Sequence, residues 1–593
     1  MSADPEDNTD AKDRSDWEGP ARNMVRARPL DSPVARIDAK GAGRFAPDPG
    51  LALDGWEDVL CRHGVMPCAS TDDGLVLAAG TYADALHAAA DLGIDVARVS
   101  VQLAPRAEIL AHLTARYAGV LTQRATVGLR VAAPQYSAVS PFPRWMRLMW
   151  TGLALVMVAA AVVAPASALV NLWLLFIPYF VATMVLRVVL MAHALRADPA
   201  ARPAPRTGTP VVSILVPVYR EAASLPALIG ALTAIDYPVR ALDIKILLEE
   251  DDTDTIAEAR WLTAGTPIEC LVVPPSAPRT KPKAMNFALP FVRGSIVGIF
   301  DAEDAPDPDQ ISKAVAALEA GGEEVVCAQA RLSHYNPDDN LLTRCVAMEY
   351  ALWFDVLLRG LSRARLPVPL GGTSLYFRVD TLRAIGGWDP DNVTEDADLG
   401  LRLARAGKRA VVFDSTTDEE ATGCALTWIR QRSRWIKGYM LTWAVHMRDP
   451  VLLARELGWG RMVAVNVLLL DGFLSFLLQP LILISGIAAM TMQGTPWRGL
   501  FEIPGVAPVL AVLFGGQMLV LAAALVAARR RFGWGVAAFV PLLLPYWMMG
   551  GVAALKALVE VATKPQYWEK TAHCLSPVAR ARRAAILGSA GRD

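Results

Sequence analysis

Apolar residues are distributed along this chain in three patterns, and each predicts a different kind of element. Unbroken runs long enough to cross a bilayer occur at Trp145 to Ala164 and Leu169 to Leu190. They return after Pro450, at Met462 to about Met492, Val506 to Ala528 and Gly533 to about Val561. Between these blocks, short continuous apolar runs at Val211 to Tyr219, Ile244 to Leu248, Cys270 to Val273, Ser295 to Phe300 and Val325 to Gln329 read as buried parallel strands. A helical repeat at Leu225 to Leu232 separates the first two, so strands alternating with helices predict a helix-covered, mainly parallel sheet. Ahead of the membrane blocks, a strand at Leu75 to Ala79, a helix at Tyr82 to Leu92, a strand at Val99 to Leu103 and a helix at Arg106 to Tyr117 predict a small α/β module.

Charge orients this plan. Arg144 and Arg147 precede the first two spans and Arg196, Arg202 and Arg206 follow them, which puts both outer flanks in the cytoplasm. The expected organisation is a disordered tail (1–50), a cytoplasmic α/β module (51–130), two transmembrane helices (144–195), a cytoplasmic domain (208–450), C-terminal transmembrane and interface helices (460–563) and a cytoplasmic tail (564–593). Three single crossings after Pro450 conflict with cytoplasmic Arg529, Arg530 and Arg531 and a cytoplasmic Arg580, Arg582 and Arg583. One segment is therefore expected to be a hairpin, a re-entrant piece or an interface helix. The segment from Gly533 to about Val561 is favoured for this role, because Pro541, Pro545 and the Gly550-Gly551 pair break it and Lys556 and Glu560 decorate its second half.

Composition adds exclusions. The hydrophobic share is 53%, concentrated in blocks, and the net charge of −1 gives no reason to expect a nucleic-acid partner. Seven cysteines are scattered without a CxxC pair, which argues against a zinc site or disulfide framework. The acidic, polar start from Met1 to Asp16 does not read as a signal peptide.

Candidate chemistry lies in four clusters, each at or just beyond the end of an apolar run: Glu249 to Asp252, Asp301 to Asp304, Thr394 to Asp396 and Gln431 to Trp435. Asp301, Glu303 and Asp304 offer hard oxygen ligands for Mg²⁺ or Mn²⁺ beside a diphosphate, or else form a solvated acidic loop. Thr394 fits an N-cap with Glu395 and Asp396 favoured by the helix dipole. A carboxylate there equally suits a general base. Gln431, Arg434 and Trp435 suit a sugar ring and a diphosphate, or an aromatic, basic helix resting on the membrane surface.

Taken in order, with Lys281, Lys283 and Asn286 between the first two clusters, these elements resemble the processive family 2 glycosyltransferases, the group of cellulose, hyaluronan and poly-N-acetylglucosamine synthases. The resemblance covers Val211 to Pro450 and implies a GT-A-like nucleotide-sugar-binding α/β domain inserted between helical membrane segments. It also implies donor contacts from Pro217, Tyr219, Glu221, Asp251, Asp252, Lys283 and Asp301, with the uridine contact divided between Asp251 and Asp252. Asp301 with Glu303 or Asp304 would hold Mg²⁺ or Mn²⁺, and Asp396 would be the catalytic base of an inverting displacement. Gly372, Thr373, Ser374, Glu395, Gln431, Arg434 and Trp435 would face the diphosphate and the acceptor. Tyr567 to Thr571 resembles a cytoplasmic segment following the last membrane helices of several relatives. The module at 51–130 resembles, in its general run, the N-terminal domain ahead of type II secretion ATPases, some relatives of which bind cyclic di-GMP. The Arg- and Leu-spaced nucleotide-binding repeats are not found, and docking or regulation without a ligand is the plainer expectation.

The resulting expectation is a hexosyltransferase of a bacterial-type inner membrane that extends a polysaccharide from a UDP-sugar, with lipid bilayer and possible export proteins as partners. The alternatives are a single transfer onto a lipid-phosphate acceptor and a non-catalytic membrane receptor or scaffold.

Overall fold

The computed structural model describes residues 47, 48, 51, 53–71, 74–163, 165–196, 208–491, 504 and 506–568. The expected tails at 1–50 and 564–593 lie almost wholly outside the described residues.

The N-terminal module contains α1 (Glu57–His63), β1 (Val65–Thr71), β2 (Gly74–Ala79), α2 (Tyr82–Asp91), β3 (Val99–Leu103) and α3 (Arg106–Ala132). Strand β1, absent from the sequence expectation, forms an antiparallel hairpin with β2. Its Pro67 sits where the register shifts, which hides the strand from pattern reading. Helix α3 runs 15 residues past its expected end at Tyr117, because Leu121, Ala125 and Leu129 continue the buried stripe.

Helices α4 (Arg144–Val163) and α5 (Pro165–Ala194) follow. The central domain is an eight-stranded sheet in the order β6-β5-β4-β7-β10-β9-β11-β8. Its strands are β4 (Val212–Val218), β5 (Leu242–Glu249), β6 (Ile268–Val273), β7 (Ile296–Ile299), β8 (Ala305–Pro306), β9 (Val325–His334), β10 (Leu375–Arg378) and β11 (Arg409–Glu419). β6, β5, β4 and β7 are mutually parallel, as are β9 and β11, while β10 runs antiparallel between the two sets. The helices of this domain are α6 (Leu225–Thr233), α7 (Thr253–Thr263), α8 (Lys281–Ala288), α9 (Gln310–Ala320), α10 (Leu341–Tyr350), α11 (Arg359–Arg363), α12 (Val379–Ala384), α13 (Glu395–Arg405) and α14 (Ala425–His446). Six of the seven β4 side chains are fully buried, as expected of a strand covered on both faces.

The strand order reverses at β4: β5 lies on one side and β7 on the other, all parallel. The carboxyl edge at such a switch point is where open α/β sheets hold ligands. The antiparallel β10 begins opposite the end of β7 (Leu375 against Ile299), so the loop before it reaches the same edge. The end of β11, Glu419, arrives there too.

The module docks on this domain through α3, which packs on α8 and β6. Beneath it, the first half of β5 buries Asp243 and Lys245. Lys245 Nζ donates to Asp243 (2.6 Å) and Glu269 (2.7 Å), and Arg106 of α3 pairs with Glu269 from the other side. Charges buried this deeply require mutual partners, and the module supplies one of them.

After α15 (Pro450–Leu457), the chain forms α16 (Trp459–Thr491), α17 (Val506–Phe532), the short α18 (Trp534–Ala537) and α19 (Leu543–Thr563). Among the described residues four helices are long and apolar enough to cross a membrane, at Leu174–Ala194, Trp459–Leu478, Val506–Phe532 and Val540–Thr563. Helix α4 occupies the expected first span and exposes Leu148, Leu155, Val156 and Val158. The break expected in the last segment occurs near Pro541, between α18 and α19, and not at the Gly550-Gly551 pair. Pro541 precedes α19 and Pro545 lies in its first turn, where proline is tolerated, and Gly550 makes room for Phe476. Glu560, expected at an interface, instead takes Lys437 of α14 (2.8 Å) and Lys556 (2.6 Å).

Candidate active site

A cavity of about 640 Å³ opens at the carboxyl edge of the sheet and continues between α5, α16 and α17. Pro217, Tyr219, Glu221, Asp301, Glu303, Gly372, Thr373, Glu395, Asp396, Gln431, Arg434 and Trp435 all line it. Twelve side chains or loop positions separated by more than 200 residues of sequence thus share one space.

On the strand side, β4 ends in Tyr219 and Arg220, the latter at φ +54° with its amide held by Asp252. Asp252 is buried and also caps α7 through Thr255 N (3.4 Å), so it shapes the turn. Asp251 takes Arg279 Nη1 (2.6 Å) and Tyr219 OH (3.3 Å), and Arg279 lies over the Tyr219 ring at 5.7 Å. Of the two carboxylates proposed for the uridine end, Asp251 is therefore the one joined to the cavity wall. Lys283 is fully buried, with Nζ donating to both Glu249 oxygens (2.9 and 2.8 Å) and Pro274 O (2.9 Å). It braces Glu249 from behind.

Lys281, one turn earlier, does reach the cavity: its ammonium meets Asp301 and donates to Gly372 O (2.8 Å). Asp304 turns inward. Its carboxylate accepts from Asp301 N (2.7 Å) and from Thr373 Oγ1, fixing the acidic loop to the Gly371–Ser374 loop. Ser374, at φ +53°, is buried against Thr417 Oγ1 (2.5 Å). Glu303 lines the cavity and Asp304 does not.

Among the described residues no group of three His, Cys, Asp or Glu stands ready to hold a metal ion by itself. The oxygen-rich surroundings nevertheless fit a cation that shares its shell with a diphosphate. Asp304 Oδ1 and Glu419 Oε1 are buried without hydrogen-bond partners. Burial raises the Asp304 and Glu419 carboxyls well above the usual range, and neighbouring carboxylates push in the same direction. Such carboxyls favour the neutral form until positive charge is supplied nearby.

On the helix side, α13 starts at Glu395. Thr394 makes no side-chain cap; its hydroxyl faces Thr442 (3.4 Å), so the capping account of this cluster fails. Asp396 accepts from Ala397 N (2.8 Å), and its other oxygen lies 3.0 Å from where a Cβ on Gly372 would stand. Gly372, at φ +86°, is the residue type that permits both the turn and this approach. Burial, then the charge of Glu395, pushes the Asp396 carboxyl up to about 7, and Glu395 itself is raised by burial. A carboxylate tuned near neutrality suits proton abstraction.

Helix α14 presents Gln431, Arg434 and Trp435 at i, i+3 and i+4, on one face. Arg434 is placed over Trp568 at 5.0 Å, and its Nε is buried without a partner. Arg432 lies between Trp428 (5.1 Å) and Trp435 (4.8 Å) and pairs with Glu349, which also takes Tyr546 OH of α19 (2.7 Å). This aromatic, basic helix packs on α16 and α19. Glu349, Glu419 and Lys281 were not among the sequence-derived site residues. Glu419 carries no local signal, because its place follows from the pairing of β11 with β9.

At the membrane end, Arg187 of α5 pairs with Asp471 of α16 (2.8 Å), and Tyr179 OH approaches Asp471 at 3.4 Å. Thr183 Oγ1 and Gln517 Nε2 face the same cavity, buried without hydrogen-bond partners among the described residues.

Residues 296–526 match the family model described as glycosyl transferase family group 2. The β-monoglucosyldiacylglycerol synthase of Nostoc sp. is 29% identical over 238 residues, covering 39% of this chain and 49% of that protein. The glucomannan 4-β-mannosyltransferase 1 of Oryza sativa subsp. japonica is 28% identical over 257 residues, covering 41% and 49%. The chain spans about half the length of the curated relatives it matches. Among solved structures, a mannosyltransferase from Pyrobaculum calidifontis in complex with GDP-Man and Mn²⁺ aligns at 21% identity over 59% of this chain and 98% of that one, with a TM-score of 0.39. Over 296–526 the chain is thus similar to family 2 glycosyltransferases. Its mainly parallel sheet set among long apolar helices is the GT-A-like class expected from the sequence.

Proposed function

We propose that this protein transfers a hexose from a nucleotide sugar, with UDP as the carrier, to the end of a growing polysaccharide, inverting the anomeric centre. The observation that carries the reading is the meeting of Asp301 and Glu303, Asp396, and Gln431, Arg434 and Trp435 on one cavity. Tyr219 and Arg279 offer a stacking and hydrogen-bonding wall for the nucleoside end. Asp301 and Glu303 would hold Mg²⁺ or Mn²⁺ against the diphosphate. When bound, the ion neutralises charge on the leaving group. Asp396 takes the proton of the acceptor hydroxyl as that oxygen bonds to the anomeric carbon and the sugar–diphosphate bond breaks, so nucleoside diphosphate leaves and Asp396 carries the proton. Arg434 lies where it can pair with the diphosphate, and Trp435 offers a face to the acceptor sugar.

The membrane end of the cavity supports a neutral, hydroxyl-rich acceptor. Arg187 and Asp471 cancel each other's charge, and Thr183 and Gln517 offer unused hydrogen-bonding atoms. A second reading, a single transfer onto a lipid acceptor, draws on the apolar wall of Phe180, Met184, Phe476 and Val520 and on the Nostoc relative, whose product is a glycolipid. The domain is read as cytoplasmic in a bacterial-type inner membrane, with coupling to export a further part of the proposal. Membranes containing the full chain, supplied with Mg²⁺ or Mn²⁺ and a panel of labelled UDP-sugars, test it. A ladder of long products supports the polymer reading, one short lipid-soluble product supports the second, and no transfer from any donor rejects both.

A further inference from the structure

Two residues beyond Asp396 on the same helix, Asp398 is fully buried and serves no surface of the cavity. Its Oδ2 accepts from Arg402 Nε (2.7 Å) and its Oδ1 meets His446 Nε2 (3.0 Å). The other ring nitrogen, Nδ1, meets Arg405 Nη1 (3.0 Å). An arginine only donates, so Nδ1 must accept and the proton must sit on Nε2. His446 is therefore held neutral, in one tautomer, between an acid and a base of α13. Burial holds its pKa below the usual histidine range.

Arg402 and Arg405 belong to α13 itself, whereas His446 is the last residue of α14. Two further ties connect the same helices. Thr442 Oγ1 receives Asn392 Nδ2 (3.0 Å) and faces Thr394 Oγ1 (3.4 Å). Gly438 leaves room for Thr394, whose methyl carbon stands 2.2 Å from the place a Cβ would take. Positions 431, 435, 438, 442 and 446 recur every three or four residues, so they form one stripe. The first part of that stripe faces the cavity and the second grips the helix that carries Asp396.

We propose that His446 is a positioning residue for sugar transfer, fixing the register of α13 against α14 so that Asp396 faces the acceptor held by Gln431 and Trp435. This inference rests on the transferase reading above. It assigns no contact between His446 and substrate. Displacements of about 1 Å at a reacting centre cost up to about 100-fold in rate. Tyr219, Arg279 and Asp301 stand on other elements and Arg434 stays with α14, so a displacement of α13 lowers turnover and largely spares donor affinity.

The test uses the full chain purified in detergent, with transfer kinetics and calorimetric titration of UDP in the presence of Mn²⁺. His446→Leu is expected to lower kcat by about 10- to 100-fold, with UDP affinity within about twofold of wild type. His446→Gln, whose amide both donates and accepts, is expected to recover most of the loss. Thr442→Val removes a lesser tie and is expected to show the same signature at smaller size, and it decides the matter if His446→Leu does not fold. Unchanged kcat in His446→Leu, a fall in UDP affinity as large as the fall in kcat, or failure of a folded His446→Gln to recover overturns the inference. Absence of transfer by the wild type rejects the transferase reading instead.

Discussion

On the side of the cavity built from strand ends, charges stand in pairs: Lys281 with Asp301, Arg279 with Asp251, Lys283 with Glu249. On the side built from α13 and α14, Glu395 and Asp396 adjoin each other and both carboxyls are raised, while burial lowers the pKa of Arg434. The first side is braced before any ligand arrives. The second keeps its charge in reserve, at the cost of buried groups held near neutrality. A site that must bind one substrate and deprotonate another needs both conditions, and the two halves of the fold supply them separately. Pairs form where the parallel β4 and β5 end side by side, and unpaired groups collect where α13 and α14 meet a loop and at the inward-turned Asp304 and Glu419.

Four substitutions sharpen or break this contrast. The largest effect is expected from Asp396→Asn, with kcat lower by about 100- to 10,000-fold and UDP affinity in Mn²⁺ unchanged, read by steady-state kinetics and calorimetry. The same variant should gain stability at high pH. The folded state holds the Asp396 proton more tightly than the unfolded chain, so wild-type stability is fully present below the ordinary value of 3.8 and is lost as pH rises through about 7. Asn is neutral throughout and removes that slope in thermal unfolding measured across pH.

Lys283→Met should behave in the opposite way. It strips Glu249 of its buried partner and is expected to lower stability by about 3 kcal/mol, read by chemical unfolding, with transfer reduced only as the folded fraction falls. If Lys283→Met instead keeps its stability and loses donor affinity, the bracing role assigned to this pair is wrong.

Asp301→Asn comes next. Losing a charged contact costs roughly 1.5–3 kcal/mol, so Mn²⁺-dependent UDP binding should weaken by about 10- to 100-fold. Equal weakening in the absence of metal would remove the cation from its proposed place. The smallest effect is expected in the pH profile. Transfer needs ionised Asp396, so kcat/KM should climb with pH through a limb near 7. Glu395→Gln removes the neighbouring charge that raises Asp396 and should move the limb to lower pH. A limb that stays in place argues that Asp396 is not the titrating base.

Much of this was legible in the sequence wherever one pattern carried one meaning. The continuous apolar runs of β4, β5 and β7 have few alternatives to buried parallel strands, and the clusters at their ends therefore fell at the carboxyl edge. Adjacent acids were less decisive. Whether Asp251 or Asp252, and Glu303 or Asp304, faces the cavity depends on turn geometry, on the left-handed Arg220 and on the hydrogen bond from Thr373. Local spacing contains none of these. The resemblance implied a donor contact from Lys283, and the structure pairs its ammonium with Glu249 at the end of β5, a partner that local spacing does not show. Glu419 gave no signal at all, since its position is set by pairing with a strand 85 residues away, His334 opposite Glu419. In the last segment Pro541 marks the break before α19, whereas Gly550 packs against Phe476 and the Lys437–Glu560 pair holds the unbroken helix beyond it.

The central claim is that donor and acceptor chemistry share the single cavity bounded by Asp301 and Asp396. The most direct test is a cryo-EM map of the full chain with a non-transferable UDP-sugar analogue and Mn²⁺. The account predicts density for the ion between the diphosphate and the Asp301 and Glu303 carboxylates, with the anomeric carbon turned toward Asp396. A donor bound elsewhere, or one whose anomeric carbon faces away from Asp396 with another carboxylate in its place, would contradict it.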